Sequence, residues 1–479
     1  MRRIGLLVGA LLVTGCASSG AIAPPKLNAT TGDPKPIATD DARPGKTPAA
    51  STAPWIGAAP ESDMILASGG GGEAYVGVWV DAPQAKPRVR APVDIALVID
   101  TSGSMRGDKI EAARAAASAL VSALSEGDIV SVDTFSDHAM VLVPPTSLDR
   151  MTRQRILSTI SEITPAGPTN MFEGLSLGES HMAQAPADHP VRRVVVISDG
   201  IANVGPSTPE ALGQLAERGL RFRAQVTSLG VGNDYDENTL NALAVRTSGR
   251  LFHLSEPREM ASILKREVDL LGSTVASDAF VEVVPATGMQ IVSADGVRVE
   301  QMGNGAVRIP LGALYSGQHR ELLVKVRLLP HAKLGDSLAI ASVRLHYHDP
   351  AEGDLDRLQE TIVRVTPTDD VASVDFHPNA KTKAIIAMHG AAKLQMQAAQ
   401  QVNNGDFRAA DAQLAEAEEQ LKKGAAMTKD DGEKRRLAAA AGAVGRARAA
   451  TQGAAAAPAP AKRDQALQLN GSGMHDLGY

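Results

Sequence analysis

Short unbroken apolar runs and apolar residues at three- to four-residue spacing take turns along the middle of the chain. The run Val93-Asp94-Ile95-Ala96-Leu97-Val98-Ile99 is rich in β-branched residues and stops at Ser102-Gly103-Ser104, which predicts a buried strand entering a turn. Ile110, Ala113, Ala117, Leu120 and Leu124 then recur at helical spacing and predict a helix from about Asp108 to Ser125. The same alternation continues. Strands are expected at Ile129 to Phe135, Val194 to Ile197, Ala224 to Leu229 and Leu251 to Leu254. Helices marked by Ile156, Ile160 and Ile163, by Leu212, Leu215 and Leu220, and by Leu240, Leu243 and Val245 fall between them. Residues 92–257 are therefore expected to fold as an α/β unit with a doubly wound, mostly parallel sheet.

The texture changes over residues 275–370. Runs such as Phe280-Val281-Glu282-Val283-Val284 and Ile340-Ala341-Ser342-Val343-Arg344-Leu345 alternate with period two between turn residues, the pattern of a small β-sandwich. One strand-like segment, Ala74 to Val80 within residues 70–91, lies outside the α/β region and needs a partner sheet. Pairing it with the sandwich would make the α/β unit an insertion. Residues 375–450 read as helical, with Asn403-Asn404-Gly405-Asp406 separating a helix of about Ala380 to Val402 from one of about Phe407 to Lys423. A third is expected from Gly432 to Ala450. The break and the following Ala409, Leu414, Ala415 and Ala417 resemble one tetratricopeptide hairpin, which cannot bury its own apolar face and must pack on a neighbour. Residues 17–69 and 451–479, rich in Ala, Pro, Gly and Ser, are expected to be a disordered tether and a disordered tail.

Composition narrows the function classes. The 479 residues are 44% hydrophobic, enough for ordinary cores, and the net charge of −6 is mild for this length. With aromatics at only 3%, neither a basic patch nor a base-stacking surface for nucleic acid is indicated. Arg2 and Arg3 precede an apolar stretch from Ile4 to Val13, which has the charge and length of a secretion signal and is too short to span a bilayer. Val13-Thr14-Gly15-Cys16 resembles a bacterial lipobox, and Cys16 is the only cysteine in the chain. Residues 1–16 are thus expected to be a lipoprotein signal, with Cys16 lipidated. Ala17 is similar to the residue after the cysteine in lipoproteins sent to the outer membrane. That predicts a lipid-anchored protein of the bacterial cell envelope.

Asp100-Thr101-Ser102-Gly103-Ser104 places a carboxylate and two hydroxyls just beyond a strand's carboxyl end, where open α/β sheets bind ligands. Such oxygens suit a hard cation such as Mg²⁺, and taken alone they serve equally well as a cap for the next helix. Two further segments extend the pattern. Gly167-Pro168-Thr169-Asn170 stands before a helix, and Ser198-Asp199-Gly200 follows the strand ending at Ile197. With these three segments in order, Val93 to Leu254 resembles a von Willebrand factor type A domain, and the chain is similar to bacterial surface lipoproteins that carry one. The resemblance implies a metal-ion-dependent adhesion site at Asp100, Ser102, Ser104, Thr169 and Asp199, holding Mg²⁺ or another divalent cation such as Mn²⁺ or Ca²⁺. It also implies direct ligands that are mostly neutral, leaving the cation able to accept a Glu or Asp carboxylate from a protein partner. A helix beginning near Gly107 aims its positive end at the same region.

Other motifs carry less. Gly174-Leu175-Ser176-Leu177-Gly178 matches the hydrolase pattern but falls within a helix rather than on a strand-to-helix elbow. Gly230-Val231-Gly232 lacks the third glycine of a dinucleotide loop, and His346 and His348 share a strand face without a third ligand nearby. Arg106-Gly107-Asp108 spells an integrin-recognition tripeptide but reads equally as a loop and a helix start. Asp133 stands in a predicted strand and, if buried, needs a partner that the sequence does not reveal. The expected function is metal-dependent protein binding rather than catalysis. The alternative is a structural scaffold of an envelope complex in which the metal only stabilises the fold.

Overall fold

The described chain opens with short apolar strands: β1 (Ile56–Pro60), β2 (Met64–Leu66) and β3 (Glu73–Asp81). The computed structural model describes residues 54–67, 72–84, 90–199, 201–233, 235–254, 257–329 and 336–479, so the expected signal, Cys16 and most of the expected tether lie outside them. β1 and β2 correct the expectation that disorder extends to residue 69. Ile56 and Ile65 are buried in a sandwich core, and Trp55 stacks on Tyr347 with ring centroids 4.6 Å apart. Five and three residues are too few to show a period against Ala- and Pro-rich surroundings.

The α/β elements follow in alternation. They are β4 (Val93–Asp100), α1 (Asp108–Ala123), β5 (Ile129–Phe135), β6 (Ala139–Ser147), α2 (Arg150–Ser161), α3 (Met171–Ala183), β7 (Val191–Ser198), α4 (Pro209–Gly219), β8 (Ala224–Val231), α5 (Glu237–Thr247), β9 (Arg250–Leu254) and α6 (Met260–Leu271). The sheet order is β6-β5-β4-β7-β8-β9, parallel throughout except where β6 runs against β5. On β4, Ile95, Leu97 and Ile99 pack with α1, α2 and α6, while Ala96 and Val98 pack with α3, α4 and α5. Helices therefore cover both faces, which explains why β4 and β8 are buried along their whole length and why runs such as Ile95–Ile99 and Val194–Ile197 are unbroken in their apolar character. The unit runs past the expected limit at residue 257, because Met260, Leu264 and Leu271 of α6 close the same core.

The chain then builds β10 (Thr274–Pro285), β11 (Met289–Asp295), β12 (Glu300–Gln301), β13 (Val307–Tyr315), β14 (His319–Leu328), β15 (Leu338–Asp349) and β16 (Leu355–Thr368). Two sheets face each other, β1-β3-β14-β11 and β12-β13-β10-β15-β16-β2. Val76, Val78, Leu322 and Val324 of the first form one core with Val281, Val283, Val343 and Val363 of the second. β3 pairs along its length with β14, so the α/β unit is inserted between two strands of the sandwich.

Five helices complete the chain: α7 (Val371–Phe376), α8 (Ala380–Asn403), α9 (Phe407–Met427), α10 (Asp431–Ala454) and α11 (Ala459–Asp476). α8 lies on the first sandwich sheet, where Thr382 Oγ1 donates to the Ala59 carbonyl at 2.9 Å. α11 corrects the expected disordered tail at 451–479. Its Leu467 enters the α/β core while Ala466 and Leu469 enter the helical core. Gly473 lets α11 approach α8 closely, since a Cβ there would lie 2.8 Å from the Ala392 carbonyl oxygen. Few apolar residues are needed when both faces of a helix are packed, and the sequence pattern is correspondingly faint.

Buried charge marks two places. At the junction of the α/β unit and the sandwich, Glu267 lies 3.7 Å from Arg193 Nε and 3.7 Å from Arg250 Nε and accepts a 2.7 Å hydrogen bond from Thr227 Oγ1. Arg193 Nη2 continues the chain of contacts by donating to Tyr315 Oη of β13 at 2.5 Å. Beneath α3, Asp133 finds its partner in His181, with Oδ1 and Nε2 3.0 Å apart. Nearby on α3, Glu179 is buried, and burial pushes its carboxyl up to about 8 against the pull of Arg218 and Arg221. A carboxyl raised from 4.5 to about 8 on folding binds its proton more tightly in the folded state. Its stabilising contribution is thus complete below 4.5 and is lost as pH rises through 8. Glu179→Gln is expected to exceed the unmodified chain in stability at about pH 9, by on the order of 3 kcal/mol, with the difference vanishing near pH 4. Denaturant midpoints at the two pH values measure this, and a variant less stable at the higher pH would contradict it.

Candidate functional site

β4 lies at the point where strand order reverses, with β5 on one side and β7 on the other, so a crevice opens beyond the carboxyl ends of β4 and β7. Asp100 ends β4, and Asp199 follows the last residue of β7. Both are 0% exposed. After Asp100 the backbone makes a single tight turn over Gly103–Met105, and the fully buried Met105 side chain plugs that turn into the core. This leaves the hydroxyls of Ser102 and Ser104 beside the crevice.

Hydrogen bonds tie four of the five expected residues into one constellation. Ser102 N donates to Asp100 Oδ1 at 2.7 Å, the Ser102 and Ser104 hydroxyls are 3.0 Å apart, and Ser104 Oγ donates to Asp199 Oδ1 at 2.8 Å. Ser198 Oγ adds a 2.6 Å bond to Asp100 Oδ2. Thr169 sits on the adjoining loop. That loop is clamped to the first by Gly103 N donating to the Gly167 carbonyl at 2.9 Å and Ala166 N to the Thr101 carbonyl at 2.6 Å. Gly167 makes the clamp possible, because its φ of +86° favours glycine. From the other side, Thr169 N donates to Asn203 Oδ1 at 2.9 Å, and the Thr169 carbonyl accepts from Asn203 N and Val204 N. Asn170 then caps α3 by accepting from Glu173 N.

The electrostatics favour a cation. Burial pushes the Asp100 carboxyl up to about 6 and Asp199 adds to the rise, while hydrogen bonds from Ser198 and Ser102 pull it down. Two buried carboxylates in hydrogen-bonded sequence with two hydroxyls form a donor set of hard oxygens, which suits Mg²⁺ and its relatives. Lys109 on the first turn of α1 already supplies a positive charge, its Nζ paired with Asp199 Oδ2. The residues present therefore fit a divalent cation. Asp100, Ser102, Ser104, Thr169 and Asp199 would hold it, and Lys109 would have to yield Asp199 as it enters.

Lys109, Ser198 and Asn203 were not among the residues expected from the sequence. Lys109 had a signal, since a basic residue one position inside a helix that starts at a carboxylate-rich crevice opposes the helix dipole. Asn203 had none, because its role is to hold the backbone of Thr169. The remaining motifs resolve as local structure. Asp108 opens α1 after Gly107, whose φ is +75°, and the Gly174 to Gly178 match lies inside α3. His346 stacks on Phe280 with centroids 4.5 Å apart, while His348 contacts Asp356 at 3.0 Å. Cys16 lies outside the described residues.

Known proteins share this architecture. Residues 94–266 match the family model described as the von Willebrand factor type A domain. The chain is 27% identical over 286 residues to the uncharacterized protein sll0103 of Synechocystis sp., covering 57% of this chain and 66% of that protein. It is 32% identical over 180 residues to the inter-alpha-trypsin inhibitor heavy chain H3 of Rattus norvegicus, covering 35% of this chain and 19% of that protein. It thus spans less than two thirds of either relative. Among solved structures, a von Willebrand factor type A protein from Catenulispora acidiphila is similar with a TM-score of 0.69 at 18% identity, over 88% of this chain and 96% of that one. The ArnB paralog VWA2 from Sulfolobus acidocaldarius is similar with a TM-score of 0.57 at 13% identity, over 88% and 98%. Both likenesses show the fold, and they extend beyond the α/β unit. Matched in its family model and in its fold, the α/β unit of this chain is a von Willebrand factor type A domain.

Proposed function

We propose that the chain binds a protein partner through a divalent cation at the crevice of its type A domain, with an acidic side chain of the partner completing the cation's ligands. The observation that carries this is the hydrogen-bonded row Asp100, Ser102, Ser104 and Asp199, which joins two fully buried carboxylates through the buried Ser102 and the exposed Ser104. Such a row gathers oxygen ligands at depth and keeps one side open. The bound cation supplies a positive centre that a carboxylate can reach from solvent. The protein's own groups do the rest: Ser198 and the Ser102 amide hold Asp100 in place, and Asn203 holds the Thr169 backbone. Ile201, 60% exposed and two positions beyond Asp199, offers an apolar contact at the rim.

Mg²⁺-dependent capture from envelope extracts, with chelator and with Asp100→Ala, tests the reading. Recovery of the same partners by all three preparations would sink it and favour the scaffold alternative. The reading extends to place: an exported chain held to the bacterial envelope by a lipid on Cys16, with the domain displayed beyond the membrane. Labelled palmitate should be incorporated into the unmodified chain and not into Cys16→Ser. Equal labelling of both would remove the anchor from the proposal.

A further inference from the structure

The first turn of α11 grips the loop that follows β8. Arg463 Nε donates to the Asn233 carbonyl at 3.2 Å, its Nη2 to the Tyr235 carbonyl at 3.0 Å, and its Nη1 to Glu237 Oε1 at 2.8 Å. Asn233 Nδ2 donates in return to the Pro460 carbonyl at 3.4 Å. Asn403, the last residue of α8, joins the same ion pair, accepting from Arg463 Nη1 at 3.0 Å and donating to Glu237 Oε1 at 3.0 Å. A guanidinium suits this task, because its donors lie in one rigid fork.

The gripped loop also touches the cation site. Gly232 lies against Lys109: a Cβ on that glycine would stand 3.4 Å from Lys109 Cε and 3.6 Å from Nζ. The same ammonium pairs with Oδ2 of the fully buried Asp199. Lys109 therefore contacts both a carboxylate that an entering cation needs and a loop that α11 fixes. To release Asp199 the ammonium must move, and a backbone pinned against it at Gly232 restricts where it can go.

We propose that Arg463 is a positioning residue for the cation site, which keeps Lys109 on Asp199 and so lowers the affinity of the crevice for Mg²⁺. The proposal rests on the divalent-cation reading of that crevice. Reciprocity then follows: if docking of α11 lowers cation affinity, the cation must weaken docking of α11 by the same factor. Events in the crevice are thereby passed to the carboxyl-terminal helices.

Calorimetric titration of Mg²⁺ into the full chain, Arg463→Lys, Lys109→Met and the double variant is the test. Arg463→Lys keeps the charge and loses the fork, so a change in affinity is not a change of net charge near the site. It should tighten Mg²⁺ binding at least about threefold where Lys109 is present and leave the affinity of Lys109→Met unchanged. In the metal-free chain the same variant should speed hydrogen exchange around Gly232, and in the unmodified chain Mg²⁺ should speed exchange along α11. Unchanged or weaker Mg²⁺ binding by Arg463→Lys, or tightening that persists in the double variant, overturns the proposal. If none of the four chains binds Mg²⁺, the cation reading of the crevice falls and this inference with it. Should Arg463→Lys fail to fold, the unmodified chain decides: faster exchange along α11 on adding Mg²⁺ supports the link, and unchanged or slower exchange overturns it.

Discussion

Asp199→Ala is expected to weaken Mg²⁺ binding at least about a hundredfold, and Lys109→Met to strengthen it about tenfold. The two effects have one origin. Asp199 is fully buried and accepts from both Ser104 Oγ and Lys109 Nζ, so the same carboxylate serves the expected cation and the lysine. Removing it deletes an anionic ligand from a site already poor in charge. Removing the ammonium instead deletes a competitor that sits within the site's own field. Calorimetry gives the affinities, and thermal unfolding gives an independent check. Anything that binds the folded chain alone raises its melting temperature by mass action. Mg²⁺ should therefore raise the midpoint of the unmodified chain and of Lys109→Met but not that of Asp199→Ala. If Lys109→Met binds Mg²⁺ no more tightly than the unmodified chain, the lysine is a spectator. If Asp199→Ala retains the full Mg²⁺ response, the cation is held elsewhere.

Much of the site was legible in the sequence, for a physical reason. A ligand crevice in an open parallel sheet forms at strand ends, and strand ends are where apolar runs meet polar turns. Asp100 and Asp199 each follow such a run, so their convergence required only that β4 and β7 be neighbours. What the sequence withheld was the supporting layer. Asn203 acts on a backbone amide and Lys109 acts across the crevice, and neither role leaves a period or a spacing. The same contrast holds for the fold. α1 and the Val194–Ile197 stretch of β7 show their nature because one face of the helix and both faces of that stretch are apolar, whereas β6 exposes Met140 and Val141 at the sheet edge and hides its nature. α11 was invisible for the opposite reason. Its contacts are divided between two cores and a close glycine approach, so no single apolar stripe runs along it.

Glu267→Ala is expected to destabilise the chain by about 3–5 kcal/mol, the cost of leaving buried charge unpaired. Glu267 is 1% exposed and stands between Arg193 and Arg250, with Thr227 donating to it. Arg193 is equally buried, and its Nε and Nη1 have no hydrogen-bond partner even with the carboxylate in place. Stripping away Glu267 would leave that guanidinium facing apolar surroundings, with Tyr315 Oη of the sandwich as a neutral contact. The double variant Arg193→Met with Glu267→Met separates pairing from packing, since replacing both partners of a buried ion pair by apolar residues of similar volume is often neutral or stabilising. The double variant should thus be more stable than Glu267→Ala by at least about 2 kcal/mol. Denaturant midpoints of the three chains measure the difference. Because Arg193 bridges β7 of the type A domain and β13 of the sandwich, the single variant should also loosen one unit from the other before either unfolds. Hydrogen exchange would register this as early loss of protection at β13 and α6. Protection that falls uniformly across the chain would instead mean that the ion pair stabilises the molecule without joining its parts.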